Sequence, residues 1–585
     1  MTVEVSQFRN LIEALDAAPA ELPFLTVWVD EDEQKTVTFG EFRRQARVQA
    51  MALRNEGMRV GDRVVILMPQ TLSAMTMFVA TMMLGALPAF LAYPNFKIEP
   101  SKYRSGLEGV TANLKAKVVV IDAEFPDELL GHVSIGGETR LFRVSQDSGS
   151  ASVPAIPEAD ILADSTAFIQ HSAGTTGLQK GVALTHAAVL RQLVYLAAAL
   201  GIDAAKREGP ADCIYSWLPL YHDMGLIACF MLPMVCHLHV VMQSPLDWVM
   251  HPETMLQIIT EHKCTLAWMP NFAFQFVPRR TSLSRGAKYH RAKYDLSSLR
   301  ALINCSEPVR SQSMEEFQEA FSTIGLKDGV LHSSYAMAEN VFAVTQSDCR
   351  RGRGPNRVWL DGKMLRNAHQ IVPVAAGDEG AISFTSSGRL LPNNEVRILS
   401  EMGGILGSGQ VGEILIRSDS LFTGYYNRPE LTAEVIVDGW YHSGDLGFCL
   451  EDELYVVGRK KDLLIIGGEN LYPHDIEEIV CSHPAIHDGR AVALGVYNAD
   501  VGTEEIVVVA EVDHEELLAN RDAIEREVRN LVVGGIGVAV KKILLKPPQW
   551  LVKSTAGKAS RSGTHEKLAR ENPELRIEAV ESERA

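Results

Sequence analysis

The run Gln170–His186, QHSAGTTGLQKGVALTH, concentrates the residue types that handle phosphate. Ser172, Gly174, Thr175, Thr176, Gly177, Lys180 and Gly181 set hydroxyls and glycines around a single lysine. Glycines let the backbone approach an anion, and hydroxyls and N–H groups then donate to its oxygens. A plain Gly/Thr turn has no use for the lysine. The loop is not a Walker A loop, because Lys180 is followed by glycine and the glycine spacing differs. The apolar residues Ala167–Ile169 ahead of it read as a strand. A second pattern, Gly407-Ser-Gly409-Gln-Val-Gly412, matches G-x-G-x-x-G but leads into the strand-like Glu413–Arg417. A dinucleotide loop would lead into a helix, so we read this one as a hairpin turn.

Such loops need strands and helices to position them, and the sequence alternates the two. Gly40–Gly57 reads as a helix, Arg63–Met68 as a strand, Leu72–Leu84 as a helix and Lys117–Ile121 as a strand. That order predicts a parallel sheet wrapped by helices. Ser145–Pro157 is a polar connection, and alternation resumes from Ala167 to Val344. After the Gly/Arg-rich stretch Thr345–Arg357 come short strands at Ala381–Thr385, Val396–Leu399 and Glu413–Arg417. Beyond Asp462 the pattern is mixed. It includes a helix near Ile476, a strand over Ile506–Glu511 and an amphipathic helix over Glu515–Val532. The uncharged run Ala74–Tyr93 is long enough for a membrane helix. Pro88 falls where a helix would end, and VGDRVVILMPQ before the run reads as a strand and turn. We therefore expect a buried helix followed by a strand, with no stable membrane insertion.

Composition narrows the function classes. A chain of 585 residues holds more than one core. Lys plus Arg number 56 and Asp plus Glu 73, a net charge of −17 that repels polyanions and argues against nucleic acid as a partner. The 8 cysteines form no C-x-x-C pair and read as free thiols in a reducing cytosol. The amino-terminal residues show no basic segment followed by an apolar one, so a secretory signal is not expected and the location is read as cytoplasmic.

Six further motifs follow the phosphate loop in order: Trp217-Leu-Pro-Leu-Tyr-His-Asp-Met-Gly-Leu226, Asn304-Cys-Ser-Glu-Pro308, Tyr335-Ala-Met-Ala-Glu339, Tyr441-His-Ser-Gly-Asp-Leu446, Gly458-Arg-Lys-Lys-Asp462 and Ser554-Thr-Ala-Gly-Lys558. Together they resemble the signatures of the adenylate-forming (acyl-activating) superfamily over roughly residues 30–565. The resemblance implies an α/β fold. A large N-terminal adenylation domain, residues 1–460, has two packed α/β sheets and a small distorted β-barrel. A mobile α+β domain, residues 461–585, turns about a hinge at Lys461.

The resemblance also implies a reaction in which a carboxylate attacks the α-phosphate of ATP. Both partners are anions, so the enzyme must neutralise charge and hold position. Lys558 fits a cation on the α-phosphate and the attacking carboxylate. Glu339, with Thr175, would hold Mg²⁺, which prefers few carboxylates plus phosphate oxygens. Tyr335 would stack on adenine beside Ala336, Met337, Ser306, Glu307 and Pro308. Asp445 would accept the ribose hydroxyls, with Arg459 assisting. His222 would wall the acyl pocket; no second histidine stands at metal-ligand spacing beside it. Trp217, Met224, Met269 and Phe272 would suit an alkyl chain.

Two branches stay open. WLPLYHDMGLI, Ser386–Ile398 and Tyr472–Glu477 resemble fatty acyl-AMP ligases, and Arg357-Val-Trp-Leu-Asp-Gly-Lys-Met-Leu365 resembles the insertion that hinders their domain rotation. Such enzymes pass the acyl group to the phosphopantetheine of an acyl carrier protein, here acting in trans. Gly467-Gly-Glu-Asn470 is closer to acyl-CoA synthetases, which finish with CoA. A non-adenylating binder or transferase of acyl-adenylate would lack Lys558 or Glu339, and this chain has both.

Overall fold

The computed structural model describes residues 7–30, 32–94, 100–133, 139–144, 160–171, 180–202, 211–281, 293–350, 352–466, 469–498, 503–536, 538–553 and 559–572. Its largest sheet has Gln34–Thr38 antiparallel at one edge, followed by six parallel strands in the spatial order Pro23–Trp28, His239–Gln243, Cys213–Ser216, Leu266–Met269, Ala301–Asn304 and Leu331–Ala336. The strands Cys213–Ser216, Leu266–Met269 and Ala301–Asn304 are buried throughout. Burial along the whole strand is what a parallel sheet covered on both faces requires. Helices Thr254–His262, Asn271–Arg280 and Ser311–Phe321 lie between these strands in sequence.

At Leu331–Ala336 the ladder turns antiparallel. Ala343–Gln346, Arg389–Leu390, Glu453–Arg459, Trp440–Leu450, Gly412–Ser418, Asn394–Leu399 and Ile405–Leu406 follow in that order. The switch from parallel to antiparallel therefore falls at Tyr335. A second sheet, Leu87–Phe90, Arg63–Leu67, Val118–Ile121 and Arg140–Arg143, is parallel throughout. Helix Phe39–Asn55 starts at a capping box between Thr38 and Glu41.

The uncharged run is indeed a buried helix, Leu72–Met83, followed by the strand Leu87–Phe90. The helix ends earlier than Pro88, at Gly85, whose φ of +65° suits a glycine. Pro88 itself lies in an edge strand, the position in a sheet that tolerates it. Among the described residues no helix is long and apolar enough to cross a membrane.

Two sequence expectations fail. The segment Gly407–Gly412 is not a hairpin turn, because Ile405–Leu406 and Gly412–Ser418 pair with opposite edges of Asn394–Leu399. It carries the chain across that strand, and the hairpin turn lies at 400–404. The helix expected over Glu515–Val532 is a 3-10 turn, Glu515–Asn520, followed by an α-helix, Arg521–Ile536. Its buried stripe is Ile524, Val528 and Val532, at helical spacing. The earlier Leu517 and Leu518 lie in the 3-10 turn and pack, partly buried, against the same core.

From Leu464 the chain builds a separate core. Ile476, Val480, Ile506, Val508, Val528, Val532 and Ile543 pack between helices Pro473–Cys481 and Arg521–Ile536 and the sheet Ile486–Asn498, Thr503–Val512, Val540–Lys546. The architecture is a large α/β part followed by a smaller α+β part. The insertion-like segment forms the hairpin strands Arg357–Asp361 and Ala381–Thr385 with helix Gly362–Ala368 between them. Its Leu360, Leu365 and Ile371 pack with Phe448 and Tyr455, and also with Leu463 and Tyr472 from the smaller part.

Candidate active site

Four neighbouring parallel strands end at one cavity of about 2310 Å³. After Cys213–Ser216 come Trp217, Pro219, Leu220 and Tyr221; after Leu266–Met269 come Asn271 and Phe272. After Ala301–Asn304 come Ser306, Glu307 and Pro308, and Leu331–Ala336 ends in Tyr335 and Ala336. All of these line the cavity. Carboxyl ends of parallel strands are where α/β sheets bind ligands. Three of the sequence motifs thus meet because their strands are adjacent.

The antiparallel side closes the polar end. Asp445 lies opposite Arg459 in paired strands. Its carboxylate accepts the Tyr335 hydroxyl at 2.6 Å and meets the Arg459 guanidinium at 3.3 Å. Its own N–H donates to Ser443 Oγ at 3.1 Å. Burial lifts the Asp445 carboxyl above the ordinary carboxylate range, while Arg459 and Tyr335 oppose the lift. The arrangement is a desolvated carboxylate held by the Arg459 guanidinium, with acceptor capacity left for hydroxyl donors.

A second cluster gathers around Glu339. The Tyr425 hydroxyl donates to Glu339 Oε1 at 2.8 Å, and the Lys180 ammonium stands 4.6 Å over the Tyr425 ring. Burial raises the Glu339 carboxyl and nearby Asp223 adds to the rise, while Tyr425 and Lys180 hold it down. His222 Nδ1 meets Asp223 Oδ1 at 2.6 Å, and Asp223 accepts the Met224 N–H at 2.7 Å. These bonds start the wide-turn helix Met224–Met231. Gly225 is required there, since a Cβ would lie 2.3 Å from the Pro219 carbonyl oxygen.

The other end of the cavity is aromatic. Trp217 stacks on Trp248 at 3.6 Å between ring centres, with Phe272 6.2 Å from each. Glu307 accepts the Phe272 N–H at 2.9 Å, which ties this wall to the Asn304–Pro308 loop. Met224 and Met269 lie buried in the main core and are not among the residues that line the cavity.

Not every expected residue joins these groups. Met337 is partly buried against the main core, with its N–H on the Phe342 carbonyl. Lys461 occupies the short 3-10 turn Lys460–Asp462, where burial and Arg459 push its ammonium down. Ser172, Gly174, Thr175, Thr176, Gly177 and Lys558 lie outside the described residues. The flanks of both segments are described. His171 pairs with Gly181, and Lys553 pairs with Ala559. Lys553, Ala559, Ser560 and Arg561 line the same cavity as Tyr335 and Asp445. Three residues escaped the sequence reading: Tyr425, Trp248 and Arg310. Tyr425 stands in a Gly-Tyr-Tyr run that reads as an ordinary turn, and neither of the other two lies in a motif.

The family profile described as AMP-binding enzyme matches residues 15–426. A long-chain-fatty-acid–AMP ligase of Mycobacterium marinum is 28% identical over 95% of this chain and 96% of its own length. A putative acyl-CoA synthetase of Caulobacter vibrioides is 28% identical over 96% and 95%. A solved structure from a study of fatty acyl-adenylate ligases of E. coli and L. pneumophila superposes with a TM-score of 0.87 at 25% identity. It covers 98% of this chain and 100% of that one.

Proposed function

Because the chain belongs to the AMP-binding enzyme family, we propose that it activates a carboxylic acid, with fatty acids as the substrate class, to an acyl-adenylate. The carboxylate oxygen bonds to the α-phosphorus of ATP. The bond from that phosphorus to the bridging oxygen breaks, and pyrophosphate leaves with the electron pair. The observation that carries this reading is the single cavity with Tyr335, Asp445 and Arg459 at one end and Trp217, Phe272 and Phe276 at the other. A nucleotide suits the first end and an apolar acid the second.

In this reading Tyr335, Ala336, Met337 and Ser306–Pro308 serve the base, and Asp445 takes the ribose hydroxyls. Lys180 and the Ser172–Gly177 stretch hold phosphates. Lys558 meets the α-phosphate and the attacking carboxylate, and His222 closes the acyl side. Among the described residues no group of three His, Cys, Asp or Glu side chains could hold a metal alone. Glu339 offers one buried carboxylate, which fits Mg²⁺ shared with phosphate oxygens; Thr175 would be its partner. When bound, the ion would offset phosphate charge.

The acceptor in this reading is the phosphopantetheine of a separate acyl carrier protein. Residues 461–585 form the mobile domain hinged at Lys461. The packing of Leu360, Leu365 and Ile371 against Leu463 and Tyr472 supports restricted rotation. Thioester formation with CoA is the second reading, favoured by Gly467-Gly-Glu-Asn470. All eight cysteines are free thiols, which supports a cytoplasmic location.

The test is a labelled-fatty-acid assay with ATP and Mg²⁺, with and without CoA. Acyl-adenylate that accumulates and is untouched by CoA supports the carrier reading. Efficient acyl-CoA formation supports the second. No adenylate from any acid tested would overturn the proposal.

A further inference from the structure

The loop after Ala301–Asn304 does more than line the cavity. At its far end, Arg310 reaches across to the smaller part. Its guanidinium donates to the His474 carbonyl at 3.0 Å and pairs with the Glu478 carboxylate. Its backbone N–H donates to Asn271 Oδ1 at 3.1 Å, and Asn304 Nδ2 donates to the same oxygen at 2.9 Å. Both ends of the Asn304–Arg310 segment are therefore pinned to Asn271, at the start of a cavity-lining helix. Within that span Ser306 has a φ of +69°, so the backbone there is not at rest. The partners of Arg310 are on helix Pro473–Cys481 and its first residues. Near them Gly458 packs so tightly that a Cβ would come within 3.1 Å of His474.

The smaller part is clasped here in one orientation. In it, Lys553 and Ala559, which flank the lysine-motif segment, line the cavity beside Ser306, Tyr335 and Asp445. This is the orientation that serves adenylation, given the function proposed above. We propose that Arg310 is a positioning residue for the first half-reaction. It links the nucleotide-side loop to helix Pro473–Cys481, so that a bound nucleotide and the adenylating orientation of the smaller part stabilise each other. The linkage must be reciprocal: ATP tightens the clasp by the factor by which the clasp tightens ATP.

A second contact across the same seam provides a control. Arg279 meets Asp488 at 2.7 Å. Arg279 belongs to helix Asn271–Arg280 and has no bond to the Asn304–Arg310 loop among those described, so its loss should loosen the seam without ATP dependence.

The experiment pairs kinetics with hydrogen exchange. Arg310→Ala and Glu478→Ala should each lower kcat for acid-dependent ATP–pyrophosphate exchange about tenfold, and the double variant should lose no more than either single. The charge swap R310E/E478R should recover a large part of the rate. Amide exchange over residues 473–481 should slow on adding ATP to the wild type and to Arg279→Ala, but not to Arg310→Ala. Additive losses in the double variant, wild-type kinetics in Arg310→Ala, or no ATP effect on residues 473–481 in the wild type would overturn the proposal. A wild type that exchanges pyrophosphate with no acid would instead sink the adenylation reading, and the hydrogen-exchange arm would still decide the clasp.

Discussion

Two regions around the cavity are built on different principles. The polar end of the cavity stands on a continuous sheet, and its groups are interlocked, Tyr335 on Asp445 and Asp445 on Arg459. The smaller part has its own core, and among the described residues it meets the larger across ion pairs and an apolar cluster. One region is pre-organised and holds its charges in place. The other brings its residues to the cavity from a separate core; in the proposed reading they arrive by rigid-body placement. Preorganised charge costs nothing to reorganise at the moment of reaction, whereas a placed residue depends on an orientation equilibrium.

Acid should separate the two regions most sharply. His171, His186 and His332 are buried in the larger part, and burial pushes each imidazole down to about 4 from 6.5. The unfolded chain therefore binds protons between pH 6.5 and 4 that the folded one refuses. Stability from these groups is complete above pH 6.5 and is lost as pH falls towards 4. Each can contribute up to about 1.4 kcal/mol per pH unit in that window, so three approach about 4 kcal/mol per pH unit, offset in part by Asp445 and Glu339, whose carboxyls burial raises and which accept protons as pH falls. At the seam the effects offset. His474 is held well below its usual range by burial, but burial raises its neighbour Asp475 to about 6, so Asp475 accepts a proton as pH falls. Calorimetry from pH 7 to 5 should show the transition of the larger part falling steeply while that of the smaller moves less. A single transition that keeps its midpoint over that range would refute the difference.

The next effect falls on the placed side. Lys558→Ala should lower kcat for pyrophosphate exchange by about 10²–10³, the loss typical when one transition-state charge contact is removed. Its melting temperature should not change. A loss below about threefold would mean that the lysine motif has no part in adenylation.

On the built side, Asp445→Ala strips partners from both Tyr335 and Arg459. An orphaned buried hydroxyl costs about 1–3 kcal/mol. The variant should therefore melt lower and show an ATP KM raised about tenfold. Tyr335→Phe, which removes the hydroxyl instead, should cost less of both. If Asp445→Ala changed stability alone, the carboxylate would be a sheet fastener and not a nucleotide contact.

These differences also explain what could be read from the sequence. Ser306–Pro308 follow the short, mostly apolar strand Ala301–Asn304 and Tyr335 stands near the end of the buried strand Leu331–Ala336, so the motif and the element that positions it are contiguous. The α/β order of the larger part was legible for the same reason. Local signals misled where a position has meaning only in three dimensions. Pro88 looks like a helix stop but fills an edge strand, and Gly407–Gly412 looks like a hairpin turn but crosses over a strand. Tyr425 and Glu339 are 86 residues apart, and Arg310 and His474 164 apart. Pairings at that range leave no periodicity in the sequence. Trp248 is similar: it has meaning only because the strand ending at Ser216 delivers Trp217 against its face.

The smallest effect expected is at the apolar seam, and it bears on which acceptor is used. Leu365 is fully buried in the cluster that joins the insertion to Tyr472 and Leu463. Leu365→Ala removes packing worth about 2–5 kcal/mol if the surroundings cannot collapse. Part of that loss falls on the contact between the two parts, so orientations other than the one seen here gain population. If this packing is what restrains rotation, the variant should give a CoA-thioester fraction several-fold above wild type at an unchanged adenylation rate. Tyr472→Ala should do the same from the other side of the seam. Paired with Leu365→Ala it should add little, since both changes open one contact. If neither variant changes the thioester fraction, the apolar seam does not choose the acceptor. The restraint would then lie in the polar clasp at Arg310 or in the Gly467–Asn470 stretch, and the comparison would shift from packing to charge.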